Sequence, residues 1–343
     1  MSSRGLNIGT LNLKNRVILA PMAGITNLPF RLIAKDLGVS LVTTEMVSAV
    51  GLVRGGQKTF NYLKSAPDEK PLAVQIFGPD PGTMAGAAEI VLKAGADVVD
   101  INMGCPARKV VRTGGGGALL KAPERAQEIV RAVRGVCPVP LTVKIRAGWS
   151  AVHPEACDIA PLLEEAGADA ITVHPRYVTQ GFSGSADWTI IAKVKTRVRI
   201  PIIGNGDITT PQKAIQMLDK TRCDAVMVGR GAIGNPWLLE QILALQEGRP
   251  LSQPGIQERK AVIIRHFELL KTAMGETGAS RVMRGLLLKY TKGLPHSSRF
   301  RGTFTGVKDL RSIMHAMDDY FSTLNALSSE DPATPPPLRT VTS

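Results

Sequence analysis

The sequence predicts an α/β protein in which a (β/α)₈ barrel, the TIM-barrel fold, is followed by a small all-helical domain. The chain has 343 residues and 44% apolar content, which is more than one ordinary core requires. Short β-branched runs alternate with helix-like stretches, as in parallel βα units. Eight such units fit within about 240 residues, the number that closes a barrel. An open doubly wound sheet is the alternative, but it would normally use fewer units.

Each predicted strand is a short apolar run followed by a helix-like stretch. Pro123 and Pro211 mark helix starts, and the pairs Ala94-Gly95 and Ala166-Gly167 mark helix ends just before the next strand. The predicted strands are Val17–Ala20, Leu41–Glu45, Leu72–Phe77, Val98–Asn102, Leu141–Arg146, Ala170–His174, Pro201–Asn205 and Ala225–Val228.

The domain limits follow from changes in composition. We predict a barrel over residues 1–248, a linker over 249–257, a helical domain over 258–327 and a disordered tail over 328–343. The linker contains Pro250, Pro254 and Gly255. Between Glu258 and Asn325 there are twelve Lys and Arg against six Asp and Glu, so the helical domain is basic.

The whole chain is also basic. Its 42 Lys and Arg against 29 Asp and Glu leave a net charge of +13. Such a surplus favours an anionic partner such as nucleic acid, although an acidic membrane surface or simple solubility would also explain it. No apolar run approaches the roughly 18 residues that cross a bilayer, and the start of the chain lacks a signal-peptide apolar region. We therefore expect a cytoplasmic protein that does not enter a membrane.

The cysteines stand far apart, without a Cys-x-x-Cys pair. This spacing argues against a metal site and against a disulfide framework, and it predicts free thiols in a reducing compartment. The four residues are Cys105, Cys137, Cys157 and Cys223.

Polar residues recur late in the predicted strands, often two residues apart. Side chains on a strand alternate between faces, and the chemistry of this barrel class lies at the carboxyl ends of the strands. An uncompensated neutral polar group inside a barrel costs about 2–7 kcal/mol, so the pattern predicts a polar ligand. The residues are Glu45, Gln75, Asp100, Asn102, Thr142, Lys144, Arg146, Thr172, His174, Arg176, Asn205 and Asp207.

Two glycine-rich turns follow the last two predicted strands. They span residues 204–207 and 229–234, and the second matches G-x-G-x-x-G. Backbone amides at such turns bind phosphate, and the loops after strands seven and eight are the usual phosphate site of a barrel. A dinucleotide-fold motif would instead open a βαβ unit at the start of a sheet. We expect phosphate binding, with simple tight turns as the alternative.

Cys105 lies just past the fourth predicted strand, on the active face. An isolated cysteine is often only a buried small hydrophobe, but this loop position favours a catalytic thiol. The nearby Arg108, Lys109 and Arg112 favour an anionic polymer. The run Gly114–Gly117 is either a flexible lid or a close-packed turn, and next to a catalytic cysteine we expect a lid.

Together these segments resemble bacterial tRNA-dihydrouridine synthases, most closely their B-type subgroup. The resemblance covers nearly all of positions 6–322, and the cysteine-bearing segment is its most specific part. The matching runs are Ala20–Thr26, Val74–Ile76, Asp100–Pro106, Val143–Arg146, Asn205–Ile208 and Gly229-Arg230.

The resemblance implies an enzyme that uses FMN, with NADPH as reductant, to reduce the C5–C6 bond of specific uridines in the tRNA D-loop. Pro21, Met22 and Ala23 would lie against the flavin, Gln75 and Lys144 would bind its ring system, and His174 would stand nearby. The ribityl chain and phosphate would be held by Asn205, Gly206, Asp207, Gly229 and Arg230. The substrate contacts would be Asn102, Arg146, Arg176, Arg284 and Lys292. We expect a monomer without metal.

The resemblance also supplies a mechanism. The reduced flavin transfers a hydride to C6 of the uracil, and Cys105 then protonates C5. Because a stacked base cannot reach a buried flavin, the uridine must flip out of the RNA fold.

The chain departs from the family's pattern at three places. Pro175 replaces a glycine after the sixth strand, other residues replace the usual Arg-Lys-His and aromatic pair along the run Arg284–Tyr290, and Gly114–Gly117 is richer in glycine. These departures concern the RNA contacts rather than the flavin site.

Two other functions fit part of the pattern. A flavin barrel acting on a free pyrimidine, as in dihydroorotate dehydrogenase, would lack the basic helical domain. An inactive RNA-binding barrel would have no need of Cys105, Lys144 and His174 together. Aromatic content is only 4%, so the RNA contact should be mostly to phosphate, with one base captured.

Overall fold

The computed structural model of the protein describes residues 5–303 and 310–330. Most of the tail predicted to be disordered, residues 331–343, lies outside the described residues. Of the described helices, none is long and apolar enough to cross a membrane.

A parallel sheet forms a barrel at the centre of the larger unit. Its order is β3-β11-β10-β9-β8-β7-β6-β4, with β5 paired to the carboxyl end of β6. A parallel bridge between Ile18 and Leu41 joins the two ends of this order. The strands are β3 (Val17–Leu19), β4 (Val42–Thr43), β5 (Val47–Ser48), β6 (Leu72–Phe77), β7 (Val98–Met103), β8 (Leu141–Gly148), β9 (Ala170–Tyr177), β10 (Ile202–Asn205) and β11 (Ala225–Val228). The predicted barrel is confirmed.

Helices flank the barrel strands, and side-chain caps and glycines mark several of their ends. Asn27, Asp80 and Thr210 cap three of them by accepting a backbone N–H. Gly95 and Gly167 follow others at φ 87° and 102°, in the left-handed region that favours glycine. The helices are α1 (Leu28–Asp36), α2 (Ala49–Val53), α3 (Gln57–Phe60), α4 (Pro81–Lys93), α5 (Arg108–Val111), α6 (Pro123–Val136), α7 (Ala156–Glu165), α8 (Thr189–Lys195), α9 (Pro211–Thr221) and α10 (Trp237–Gln246).

Some strands differ from their predicted limits. The hairpin of β1 (Leu6–Ile8) and β2 (Leu11–Leu13) and the short β5 were not predicted, because runs of two or three residues carry little periodic signal. Strand β9 continues through Pro175, which falls where the β8–β9 register shifts between Arg146 and Gly148. Proline is tolerated there because a bulge leaves a backbone group out of the ladder.

The chain divides into two compact units. The larger contains the barrel, up to Ala232, together with Leu238–Leu251; the smaller contains Ile233–Trp237 and the chain from Ser252 onward. The limits predicted from composition, at residues 248, 257 and 327, stay predictions.

The smaller unit is helical. It contains α11 (Ile256–Tyr290), α12 (Ser297–Thr303) and α13 (Leu310–Glu330), and α11 is interrupted at Gly275, whose φ is 73°. Tyr290 is buried and bonds His266 Nδ1 through its hydroxyl over 3.0 Å. Phe300 stacks on Tyr320 with ring centroids 4.1 Å apart. Helix α11 also buries Phe267, Leu270 and Leu287.

Candidate active site

Hydrogen bonds link buried polar side chains on the adjacent strands β6, β7 and β8. Thr142 Oγ1 and Gln75 Nε2 donate to the two carboxylate oxygens of Asp100, and Asn102 Nδ2 donates to Gln75 Oε1 over 2.9 Å. These side chains expose between 1% and 8% of their surface. The bonds determine which end of the Gln75 amide carries nitrogen, because Asp100 accepts and Asn102 donates.

The loop after β7 is held by Asn102. Its side-chain oxygen accepts the backbone N–H groups of Gly104 and Cys105 over 3.2 and 2.9 Å. Arg146 Nε donates to the Gly104 carbonyl over 2.8 Å. Of the cysteines, Cys105 is half-buried whereas the other three are buried. The accessible thiol is thus fixed at the carboxyl end of the strands, where the sequence predicted it.

The predicted lid at Gly114–Gly117 is wrong, because most of this run is a close-packed turn. Residues 115–117 are buried, and the N–H of Gly117 donates to the Cys105 carbonyl over 3.0 Å. A Cβ on Gly117 would meet the Val178 side chain at 2.5 Å, and one on Gly115 would meet the Gly78 backbone at 3.3 Å. Glycine suits positions 115 and 117 because other segments of the protein approach too closely for a side chain there.

Lys144 lies in the barrel beside Asn205. Its Nζ donates to Asn205 Oδ1 over 2.9 Å, and Asn205 Nδ2 donates to the Met227 carbonyl over 2.7 Å. Burial and the neighbouring Arg146 lower the pKa of Lys144 to about 8. Burial raises the pKa of Asp100 to about 6. Both groups would titrate nearer neutrality than their ordinary values.

His174 is surrounded by positive charge. Burial is the largest cause that lowers its pKa to about 2, followed by Lys144, Arg146, Arg176 and Arg230, so the imidazole is neutral. A Cβ on Gly206 would meet the His174 ring at 2.9 Å, which places the β10 turn directly beside it. A pocket with several cations around a neutral imidazole suits an anionic ligand.

Two of the predicted substrate contacts are engaged by the protein itself. Arg146 also donates to the carbonyls of Tyr177 and Gly181, and only 3% of its surface is exposed. Arg176 pairs with Asp207 at 2.8 Å and donates to the Gly184 carbonyl over 2.6 Å. These bonds hold the loop after β9 against the barrel.

Phe182, at the tip of that loop, was not predicted. It is 57% exposed, yet the guanidinium carbons of Arg146 and Arg230 lie 5.3 and 4.8 Å from its ring centroid. Cation–π contacts of this kind are worth about 0.5–1 kcal/mol at exposed sites. The feature of the sequence that could have identified Phe182 is its place as an aromatic residue in a short Gly- and Ser-rich loop.

The loop after β3 is fixed by residues whose role there has no signal in the sequence. The Met22 N–H donates to Thr26 Oγ1 over 2.9 Å, and backbone groups of Gly24 and Ile25 bond to the Glu45 carboxylate. Buried Arg31 donates to the Thr26 carbonyl over 2.9 Å. The predicted flavin contacts in this loop are half-buried at Pro21 and Met22 and exposed at Ala23.

The two glycine-rich turns lie at the same end of the barrel. Gly206 and Asp207 both have positive φ, 122° and 56°. A Cβ on Gly229 would lie 3.7 Å from Met22 Sδ, so the turn after β11 faces the loop after β3. Arg230 is half exposed and lies 3.5 Å from Asp207. The barrel residues predicted to bind the cofactor are therefore brought together.

The predicted polymer contacts are spread over both units. Arg108, Lys109 and Arg112 are exposed beside the Cys105 loop, and Lys292 is exposed in the smaller unit, where Arg284 is half-buried. Within residues 5–303 and 310–330, no group of three or more His, Cys, Asp or Glu side chains is placed to hold a metal ion.

Comparison with known proteins assigns the chain to a family. The dihydrouridine synthase (Dus) profile matches residues 18–325. The chain belongs to the dihydrouridine synthase family. It is 39% identical to "tRNA-dihydrouridine synthase B" of Pasteurella multocida over 318 residues, 92% of this chain and 96% of that protein. Identity to the protein of the same name from Salmonella typhimurium is 39% over 317 residues, 92% and 99% of the two chains.

Solved structures share the fold of the barrel. The old yellow enzyme homologue from Zymomonas mobilis matches with a TM-score of 0.55 at 15% identity, covering 75% of this chain and 95% of that one. A 2-naphthoyl-CoA reductase matches with a TM-score of 0.54 at 15% identity, covering 73% and 52%. At this level of identity the likeness supports the TIM-barrel fold alone.

Proposed function

We propose that this dihydrouridine synthase reduces the C5–C6 bond of uridines in tRNA, with FMN as the bound cofactor and NADPH as the reductant. The observation that carries the proposal is the accessible thiol of Cys105. It is held by Asn102 at the same end of the barrel as the cations of the β8 and β11 loops. The B-type relatives that match over more than nine-tenths of the chain are named for the same reaction.

The residues present fit FMN. Lys144 and Arg230 offer positive charge, and the two glycine-rich turns offer backbone N–H groups, so a phosphate and an electron-rich ring would both be stabilised. When bound, the flavin carries reducing equivalents from NADPH to C6 of the uracil. The residues that would hold it are Pro21, Met22, Ala23, Gln75, Lys144, His174, Asn205, Gly206, Asp207, Gly229 and Arg230.

The protein's own contribution to the chemistry is a proton and a fixed geometry. Cys105 would donate its proton to C5 of the uracil, and the thiolate left behind would recover a proton from solvent. Asn102 and Arg146 would keep that thiol in place through the backbone of residues 104 and 105. His174, neutral throughout the ordinary pH range, would act as a hydrogen-bonding group rather than as a charge.

Arg146 and Arg176 act by positioning. Their guanidinium groups are bonded to backbone carbonyls and to Asp207, so they would shape the mouth of the barrel rather than contact RNA directly. Contacts with RNA would come from exposed cations, among them Lys292 in the smaller unit, and from half-buried Arg284 of the same unit.

The experiment that tests this function compares substrates. The purified protein is supplied with FMN, NADPH and either unmodified tRNA or free uridine monophosphate, and dihydrouridine is measured by mass spectrometry of the nucleosides. Dihydrouridine in tRNA alone supports the proposal. Turnover of the free nucleotide with none in tRNA would replace it with a small-molecule reductase, and no turnover with either substrate would reject it.

A further inference from the structure

The chain between β5 and β6 exposes cations and aromatic residues side by side. Residues 46–67 contain Arg54, Lys58 and Lys64 but no Asp or Glu. Phe60 and Tyr62 are 37% and 47% exposed. We call residues 54–64 the rim segment. Its composition differs from that of an ordinary solvated surface, where charges of both signs alternate and large aromatic rings are covered.

The backbone of the rim segment is anchored at both ends. Leu52 and Leu63 are buried in the barrel core, at 1% and 8% exposure. The Gly56 N–H donates to the Gly51 carbonyl over 3.0 Å, closing the turn that precedes α3. The Lys64 carbonyl accepts a 2.9 Å hydrogen bond from buried Arg31. The rings of the segment are therefore exposed on a fixed backbone.

The rim segment leaves the barrel at the end that carries the site. β5 pairs with Ile76 and Phe77, which directly follow Gln75 on β6. The same Arg31 that holds Lys64 also donates to the Thr26 carbonyl of the loop after β3. The segment is thus tied to two structures that form the mouth of the barrel.

The chemistry of the rim segment suits single-stranded RNA. Among the residues that the structure describes, none forms an ion pair with Arg54, Lys58 or Lys64, so their charges are available to phosphate. Exposed aromatic rings stack on unpaired bases, whereas a duplex keeps its bases stacked inside. Protein interfaces are depleted in lysine, which makes a protein partner the poorer fit.

We propose that the rim segment binds an unpaired stretch of the RNA substrate. Phe60 and Tyr62 stack on bases while Arg54, Lys58 and Lys64 contact phosphates. This inference rests on the proposed function, because it takes tRNA as the substrate. It adds residues of the barrel to the RNA contacts proposed for the smaller unit.

The aromatic contact is tested with the double variant Phe60→Ala/Tyr62→Ala. Loss of each stacked ring should weaken tRNA binding by about 5-fold or more, and the double variant loses both rings. The dependence of the affinity on salt concentration should stay unchanged, because every phosphate contact remains. The exchange Phe60→Tyr/Tyr62→Phe keeps both rings and should bind as tightly as the wild type. NADPH oxidation by the FMN-loaded protein without RNA should be the same in all three proteins.

The charged contact is tested with Arg54→Glu/Lys58→Glu. Binding should weaken, and the slope of log affinity against log salt should fall by about 0.7 for each phosphate of a single strand that the variant no longer neutralises. The matched control is Lys93→Glu/Lys220→Glu, which makes the same change of charge in the last turns of α4 and α9, at the opposite end of the barrel. The control should keep most of the wild-type affinity and its slope.

Lysine acetylation followed by mass spectrometry tests the contact without any substitution. Bound tRNA should protect Lys58 and Lys64 but not Lys93 or Lys220. The inference would be overturned if each of the four lysines were acetylated to the same extent with and without tRNA, or if the rim variants bound tRNA as tightly as the wild type. Either result would count even if the wild type forms dihydrouridine in tRNA. A wild type that neither binds nor reduces tRNA would instead reject the proposed function.

Discussion

The backbone N–H of Cys105 donates a 2.9 Å hydrogen bond to the side-chain oxygen of Asn102. The nitrogen of the same amide donates to Gln75, which in turn bonds Asp100. One asparagine therefore connects the loop that carries the thiol to the polar centre of the barrel. This connection makes the position of the proposed proton donor depend on residues that do not touch it.

Substitution of the thiol should separate two half-reactions. Cys105→Ala should lower dihydrouridine formation by about 10²–10⁴-fold, the usual contribution of a general acid. FMN binding and flavin reduction by NADPH should stay at wild-type levels, because neither step needs this proton. Stopped-flow absorbance of the flavin and nucleoside mass spectrometry measure the two steps. Cys157→Ala, which removes a buried thiol outside the site, is the control, and native turnover in Cys105→Ala would show that Cys105 only packs.

Removal of the amide of Asn102 should loosen the loop. Asn102→Ala leaves two backbone N–H groups and Gln75 Oε1 without their partner, which should lower the free energy of unfolding by about 1–3 kcal/mol. The alkylation rate of Cys105 should change and uridine reduction should slow, while flavin reduction continues. Chemical denaturation and thiol labelling measure these effects. The control Asn12→Ala, at an exposed position of the hairpin, should change neither the free energy of unfolding nor the labelling rate of Cys105. Identical labelling rates of Cys105 in Asn102→Ala and Asn12→Ala would contradict the anchoring role of Asn102.

The buried carboxyl of Asp100 should make stability depend on pH. Burial raises its pKa from 3.8 to about 6, so between these values the folded protein holds a proton that the unfolded chain has released. The free energy of unfolding should fall as pH rises from about 4 to about 6, by about 3 kcal/mol from this group. The variant Asp100→Asn has no carboxyl group at this position and therefore lacks this pH dependence. Plots of the free energy of unfolding against pH for the two proteins without cofactor should converge or cross between about pH 4 and pH 6. Parallel plots would count against the raised pKa.

The packed turn at Gly117 predicts a steric effect. Gly117→Ala places a methyl group 2.5 Å from Val178 and 3.2 Å from the Cys105 carbonyl, so the Cys105 loop must shift and dihydrouridine formation should drop. Gly135→Ala, in α6 with no heavy atom within 4 Å of the new carbon, should be neutral or slightly stabilising. Activity assays and thermal unfolding compare the two. A fully active Gly117→Ala enzyme would show that packing at this turn does not position the Cys105 loop.

Exposed cations of the smaller unit should hold tRNA by charge. The triple variant Lys292→Glu/Arg299→Glu/Arg301→Glu should bind tRNA more weakly and show a flatter salt dependence, by about 0.7–0.9 for each phosphate that is no longer neutralised. Flavin reduction by NADPH should keep its wild-type rate. Fluorescence anisotropy over a range of salt concentrations measures the slope. Unaltered affinity and slope would mean that these residues form only a solvated helix face.

Much of the fold and the candidate site could be predicted from the sequence because the signals are local. Apolar runs of four to six residues identified the barrel strands, and polar residues at their carboxyl ends identified the site. Helix ends at Gly95 and Gly167 were readable since glycine alone adopts their backbone angles without strain. Cys105 stood out by its loop position.

The tertiary structure decided which partners these residues take. The sequence predicted that Arg146 and Arg176 face the mouth, but only the fold shows that backbone carbonyls and Asp207 occupy their guanidinium groups. Likewise, the Gly114–Gly117 run became a packed turn because Gly78 and Val178, distant in sequence, press against it. Local composition determines what a segment is able to do. Contacts between distant segments determine what it does, since hydrogen bonds and close packing depend on neighbours that no local pattern specifies.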